Sequence, residues 1–340
     1  MENWVEQLFN EDILQKAADF YGGSLTNSKK LGDFENYVYE IHKEEKPYIL
    51  RLTHSSHRSK DQVEAELEWV NYLHSKGVNV SQVSHSEAGN LVEEIPVGDT
   101  SFFVCLFDKA PGSPVGVQSD LLGPSLFKEW GRTIGKMNRA AKDFVEGSSV
   151  REHWYDEDLL KNISLYLPEE DKEISIAGKE LVETLHSFSS GRDEYGLIHS
   201  DIHLGNFFYH EGEIHVFDFD DSSYHWFASD IAIPLFYSVW AKMGGENLED
   251  RSAFGEEFLF HFLMGYYEEN ILDEQWIKRI PLFLKLRDIV LYTVFHKKFD
   301  MDNLSEREAG AVAGIRKRLV NGEPMVELDY EKIIRSLQKA

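Results

Sequence analysis

Apolar positions along this chain alternate between helical and strand periods. Trp4, Val5, Leu8, Ile13, Leu14 and Ala17 recur at helical spacing and predict an opening amphipathic helix, broken at Tyr21-Gly22-Gly23. Residues 29–41 change period and read as strand, turn and strand, with the turn at Gly32-Asp33 and Val38, Tyr39 and Ile41 beyond it. Residues 47–52 form a further strand. In the helix over 59–75, Val63, Leu67, Val70 and Leu73 face inward, with Glu64, Glu66 and Glu68 off that face. Residues 91–94 and 102–107 pair as antiparallel strands around Gly98-Asp99. After them the pattern is largely helical, over 124–143, 159–167, 174–188, 254–267, 276–299 and 305–320. Within this helical part, 195–198 is a short apolar run and 214–221 reads as a strand.

Composition narrows the possibilities. A chain of 340 residues, 42% hydrophobic and 28% charged, has the make-up of a soluble globular protein of one large or two modest domains. The net charge of −25 argues against nucleic acid as partner and is compatible with a cationic substrate. The single cysteine, Cys105, sits in an apolar run and excludes an intramolecular disulfide. Met1-Glu2-Asn3-Trp4 lacks the basic and apolar regions of a signal peptide. The most apolar run, 231–241, falls well short of the roughly 20 residues a membrane span requires. The expectation is a cytoplasmic protein with no membrane partner. Oligomeric state is not legible.

Candidate chemistry concentrates between His199 and Asp221. The run 195–198 delivers His199 and Asp201 to a loop, Asn206 follows five positions after Asp201, and Asp218 lies on the next strand. Phosphoryl transfer from a nucleotide uses such a set: an Asp to orient the attacking hydroxyl, and an Asn and a second Asp to hold the metal that bridges the phosphates. Alternation of His199, Asp201 and His203 also suits three zinc ligands. That reading gives Asn206 and Asp218 no role and supplies no fourth ligand, so His199 and His203 are expected to orient the loop.

His199-Ser200-Asp201 through Asn206, Phe217-Asp218-Phe219-Asp220-Asp221 and Asp230-Ile231-Ala232 resemble the catalytic loop, metal-binding strand and following helix of the aminoglycoside phosphotransferase and choline kinase superfamily. Ser200 stands where that family has Gly. The resemblance implies an α+β, bilobal protein-kinase-like fold, with a small antiparallel-sheet lobe over 1–108 and a larger, mostly helical lobe over 109–340. It implies ATP and Mg²⁺ as cofactors and a hydroxyl of a small molecule as phosphate acceptor, with Asp201 catalytic and Asn206 and Asp218 on the metal. The hairpin residues Gly32, Phe34 and Asn36 would cover the nucleotide. Arg51, in place of the usual Lys, would pair with Glu66 beneath the phosphates, and the Asp108–Ala110 hinge would meet the adenine edge. Asn138 stands where the family helix has His. Residues 262–267 and 280–287 resemble the substrate-side helices of the homoserine-kinase-like branch.

The acceptor is not fixed by these motifs. Asp220, Asp221, Tyr224 and Trp226 are candidates for binding an amine by charge and cation–π contact, and Tyr266, Arg287 and Tyr292 are further substrate candidates. Two other readings stand beside the small-molecule kinase. One is a regulatory pseudokinase, motivated by Arg51, Ser200 and a hairpin poor in glycine. The other is a Ser/Thr protein kinase of the same superfamily, disfavoured by the lack of an activation segment and Ala-Pro-Glu motif after Asp218.

Overall fold

The computed structural model describes residues 3–147 and 150–339; Met1 and Glu2, on which part of the N-terminal reading rests, lie outside them. The fold is bilobal and protein-kinase-like. Its smaller part is a six-stranded antiparallel sheet in the order β1-β2-β3-β6-β4, with β5 also paired to β6. The strands are β1 (Ser24–Gly32), β2 (Asn36–Lys43), β3 (Lys46–His54), β4 (Val83–Ser84), β5 (Glu93–Val97) and β6 (Thr100–Asp108). Two helices precede the sheet, α1 (Asn3–Glu6) and α2 (Glu11–Asp19), rather than the single one expected. Asn10 divides them: its side chain accepts the Ile13 amide at 3.1 Å and caps the second helix. α3 (Lys60–Ser75) starts from a Ser59–Gln62 capping box.

Strand β6 shows how one sequence serves two cores. Phe102, Val104 and Leu106 point to the cluster with Tyr21, Ile41 and Leu52 on the α2 side. Phe103 and Cys105 point the other way, into the large cluster that includes α3 and the helical part. The period of two along a strand makes this division. Each lobe is thereby joined to the other through α3.

The larger part contains α4 (Pro124–Ala141), α5 (Asp158–Lys161), α6 (Ile163–Tyr166), α7 (Lys172–His186), α8 (Phe227–Met243), α9 (Leu248–Tyr266), α10 (Glu274–Lys278), α11 (Ile280–Lys298), α12 (Glu306–Asn321) and α13 (Tyr330–Leu337). Two short ladders, β7 (Tyr195–Ile198) with β10 (Ser223–Trp226) and β8 (Phe207–His210) with β9 (Glu213–Val216), hold the loops between them. Helices α4 and α9 approach backbone to backbone, because a Cβ on Gly131 would lie 1.8 Å from the Phe262 carbonyl oxygen. Two expectations are corrected here. The helix over 159–167 is two short helices, α5 and α6. The strand over 214–221 ends at Val216, and Asp218 stands beyond it with φ +66°, a left-handed conformation that does not continue a strand. Among the described residues no helix is long and apolar enough to cross a membrane.

Candidate functional site

Strand β7 brings the chain to His199, where the backbone turns sharply: Ser200 has φ +68°. Asp230, in the first turn of α8, holds this turn. Its carboxylate accepts the amides of His199 at 3.3 Å and Ser200 at 3.1 Å, and the Asn138 side chain at 3.3 Å. Tyr266 in turn donates to Asn138 at 3.1 Å and accepts from Asn270 at 2.8 Å. Tyr266 is therefore a member of a buried network behind the loop, reached through the close α4–α9 packing. The His199 ring locks the loop from its other end: it accepts the Asp201 amide at Nδ1 (3.3 Å), and its Nε2 donates to the Phe217 carbonyl at 3.2 Å. Burial holds His199 neutral, with its pKa down to about 4.

Two cavities meet at this loop. The first, about 760 Å³, lies under the β1–β2 hairpin; Gly32, Phe34, Asn36, Arg51 and Ala110 line it together with Asp218 and Asp220. Val38, Ile49, Phe107, Phe208 and Phe217 give it an apolar section of the chemistry that takes a planar base. Arg51 donates to Glu66 through both terminal nitrogens at 2.7 Å, and both residues are buried. Glu66 and Asp108 do not line the cavity themselves, and the Asp108 amide is taken by the Gln82 carbonyl at 2.9 Å. The second cavity, about 710 Å³, runs between the loop and α5, α8 and α11. Asp201, Asp221, Phe34 and Glu35 line both.

Asp201 is turned into the junction. Arg287 pairs with its Oδ1, the Tyr237 hydroxyl donates to the same oxygen at 3.3 Å, and His203 Nε2 stands 3.5 Å from Oδ2. Burial raises the Asp201 carboxyl, but Arg287 and His203 outweigh it and leave the group below the ordinary carboxylate range. The Asn206 side-chain amide donates to the Asp201 carbonyl at 2.8 Å, which leaves its own oxygen for a ligand. Desolvation by the surrounding protein pushes Asp218, whose side chain still meets solvent, up to about 7, with Asp220 and Asp221 adding to the shift and Arg51 opposing it. The Phe217 amide donates to the Asn206 main-chain carbonyl at 3.0 Å, which brings Asp218 and Asn206 to one place. A carboxylate among carboxylates with an amide oxygen is a hard-oxygen donor set suited to a divalent cation.

The substrate candidates separate clearly. Asp220 is consumed internally: it accepts from His57 at 2.6 Å and Asn36 at 3.1 Å, and Arg58 lies 3.5 Å away. Asp221 shares Arg58 at 3.1 Å. Trp226, Tyr266 and Tyr292 are core residues that line neither cavity; Trp226 donates to the Ser189 carbonyl and Tyr292 to Asp171. Tyr224 pairs with Leu197 across the β7–β10 ladder and likewise lines neither cavity. Arg287 does line the second cavity. Sequence reasoning passed over Tyr237 and Glu157 there. Tyr237 lies seven positions after Asp230, on the same helix face, which is the one local signal for it; Glu157 has none.

Comparison with known proteins agrees with this geometry. Residues 29–266 match the model of the phosphotransferase enzyme family. The chain is 37% identical to the amicoumacin kinase of Bacillus subtilis (strain 168), over 97% of its own length and 98% of that protein. A solved amicoumacin kinase in complex with AMP-PNP, Ca²⁺ and Ami superimposes with a TM-score of 0.92 at 36% identity, over 98% of this chain and 100% of the other. A microcompartment-associated aminopropanol kinase shares the fold at a TM-score of 0.72 and 21% identity, over 92% of this chain and 98% of the other. The chain belongs to the phosphotransferase enzyme family and is an ATP-dependent kinase of a small-molecule hydroxyl.

Proposed function

We propose that this enzyme transfers the γ-phosphate of ATP, as its Mg²⁺ complex, to a hydroxyl of an amine-bearing antibiotic of the amicoumacin type, in the cytoplasm. The observation that carries the reading is that Asp201 lines both cavities, where a phosphate from one and a hydroxyl from the other would meet. The cavity under the hairpin takes the nucleotide. Its phosphates lie against Arg51, which Glu66 holds in place. Asn206 and Asp218 would hold the Mg²⁺, which supplies charge neutralisation across the phosphates when bound. Asp201 accepts the hydrogen bond of the acceptor hydroxyl and aligns it for attack.

Charge in the second cavity supports a cationic acceptor. Its cations are already engaged: Arg58 with Asp220 and Asp221, Arg151 with the main-chain carbonyls of Gln62, Asp220 and Ser222, Arg287 with Asp201, Lys297 with Asp158 at 2.6 Å, and Lys298 with Glu35 at 3.2 Å. The Glu157 carboxyl makes no hydrogen bond or ion pair among the described residues, and burial, with Asp221 adding to it, pushes its pKa up to about 7 beside an apolar wall of Phe283, Leu286 and Val290. A cation bound there favours its charged form. An ammonium group of the acceptor is such a cation.

The relative's substrate and the full set of Asp201, Asn206 and Asp218 favour turnover over a pseudokinase role. Only residues 219–226 separate Asp218 from α8, which leaves no room for a protein kinase's activation segment. The test is ADP formation with amicoumacin as acceptor, with the product identified by mass. The expected result is amicoumacin-dependent turnover that requires Mg²⁺. Nucleotide binding with no amicoumacin-dependent turnover would overturn the assignment of the acceptor.

A further inference from the structure

We infer that Arg287, together with Tyr237, is a positioning residue for the transfer step: the pair grips one oxygen of Asp201 from the acceptor side and leaves the other turned toward the acceptor hydroxyl. The inference rests on the reading of Asp201 given above. Arg287 pairs with Asp201 Oδ1, and the Tyr237 hydroxyl donates to that oxygen at 3.3 Å. The Tyr237 ring lies 4.9 Å from the guanidinium carbon of Arg287, so the tyrosine supports the arginine by cation–π contact as well as the carboxylate by hydrogen bond. The Asp201 main chain is fixed independently, its carbonyl by Asn206 at 2.8 Å and its amide by His199 at 3.3 Å. The loop backbone thus fixes where Asp201 starts, and Arg287 and Tyr237 fix where its carboxylate ends.

Both residues come from helices packed side by side, α8 and α11, and both line the acceptor cavity but not the nucleotide cavity. Their influence therefore falls on the acceptor half of the reaction. Without them, among the described residues only His203 Nε2, 3.5 Å from Oδ2, restrains the carboxylate, which can then turn about its two side-chain torsions and displace its oxygens by about an ångström. A misplacement of that size costs on the order of 10²-fold in rate. This role differs from that of an acceptor anchor, in which Arg287 would meet the bound molecule through the guanidinium nitrogens other than Nη2, the one engaged with Asp201 and Tyr237.

Steady-state kinetics with ATP·Mg²⁺ and amicoumacin separate the two roles, using Asp201→Asn, Arg287→Gln, Arg287→Lys and Tyr237→Phe. For positioning, Arg287→Gln lowers kcat by about 10²-fold with KM for both substrates little changed. Arg287→Lys recovers part of the loss, since a point charge still reaches the carboxylate but not through a planar fork. Tyr237→Phe loses less, in the same direction. A raised KM for amicoumacin at unchanged kcat would make Arg287 an acceptor anchor and overturn the inference; so would wild-type kcat in both Arg287→Gln and Tyr237→Phe. Should Arg287→Gln melt early, Tyr237→Phe, which lacks only one oxygen, carries the same test. Should amicoumacin not be phosphorylated, the series is read on acceptor-independent ATP hydrolysis. Full turnover in Asp201→Asn removes the reading of Asp201 and this inference with it. An inactive Asp201→Asn beside fully active Arg287→Gln and Tyr237→Phe removes this inference alone.

Discussion

Replacing Glu66 by Leu tests the small lobe's central ion pair with little change of volume. Arg51 is 4% exposed and Glu66 is fully buried, and two hydrogen bonds of 2.7 Å join them. Arg51 Nε has no partner, so without Glu66 the guanidinium keeps only a weak contact to Cys105 Sγ at 3.8 Å and the Phe107 ring, 5.1 Å from its centre. Breaking a buried pair from one side typically costs about 3–5 kcal/mol, because the remaining charge is desolvated and uncompensated. At roughly 2–4 °C per kcal/mol for a mid-sized domain, the melting temperature should fall by on the order of 10 °C. The double variant Arg51→Met/Glu66→Leu removes both charges and should regain most of that stability. It should bind ATP poorly, since the cation proposed to face the phosphates is gone. Thermal melting with and without ATP·Mg²⁺, beside calorimetric ATP binding, reads both effects. A single Glu66→Leu variant as stable as wild type, or a double variant no better than the single one, would refute the reasoning.

Three further outcomes are expected. Asp218→Asn should keep the fold and weaken metal-dependent ATP binding; calorimetry showing equal ATP·Mg²⁺ affinity would remove Asp218 from the metal site. Tyr266→Phe leaves Asn138 and Asn270 short of a partner and should cost about 1–3 kcal/mol in urea unfolding, while KM for the acceptor stays put, since Tyr266 lines neither cavity. Burial lowers the His225 pKa to about 3, and its Nδ1 accepts the Trp226 amide at 2.9 Å. The folded state keeps this imidazole neutral while the unfolded chain binds a proton below about 6.5. Its contribution is therefore complete above that pH and falls toward pH 3, with a slope approaching about 1.4 kcal/mol per unit. His225→Gln should flatten the stability profile across that window, whereas an unchanged slope would show that His225 is not held neutral.

Much of this protein was legible in the residues themselves. The spacing of Asp201 and Asn206 is local, and a loop of that length can hold both only near each other, so order along the chain was enough to propose the centre. The pairing of Arg51 with Glu66 followed from the family resemblance and not from the helical pattern, which put Glu66 off the inward face; the structure buries it fully against Arg51. Where local chemistry competed with periodicity the pattern misled. Asn10 caps a new helix inside an apparently continuous apolar stripe, and Asp218 leaves the strand because its backbone adopts φ +66°. The acceptor side was decided by tertiary structure alone. Trp226, Tyr266 and Tyr292 carry the same aromatic signal as site residues, and only packing shows that they are core. Arg287, Tyr237 and Glu157 come from three separate segments with no spacing to connect them. Their meeting around Asp201 depends on how α8 and α11 pack and where the chain enters α5, a long-range outcome that no local pattern encodes.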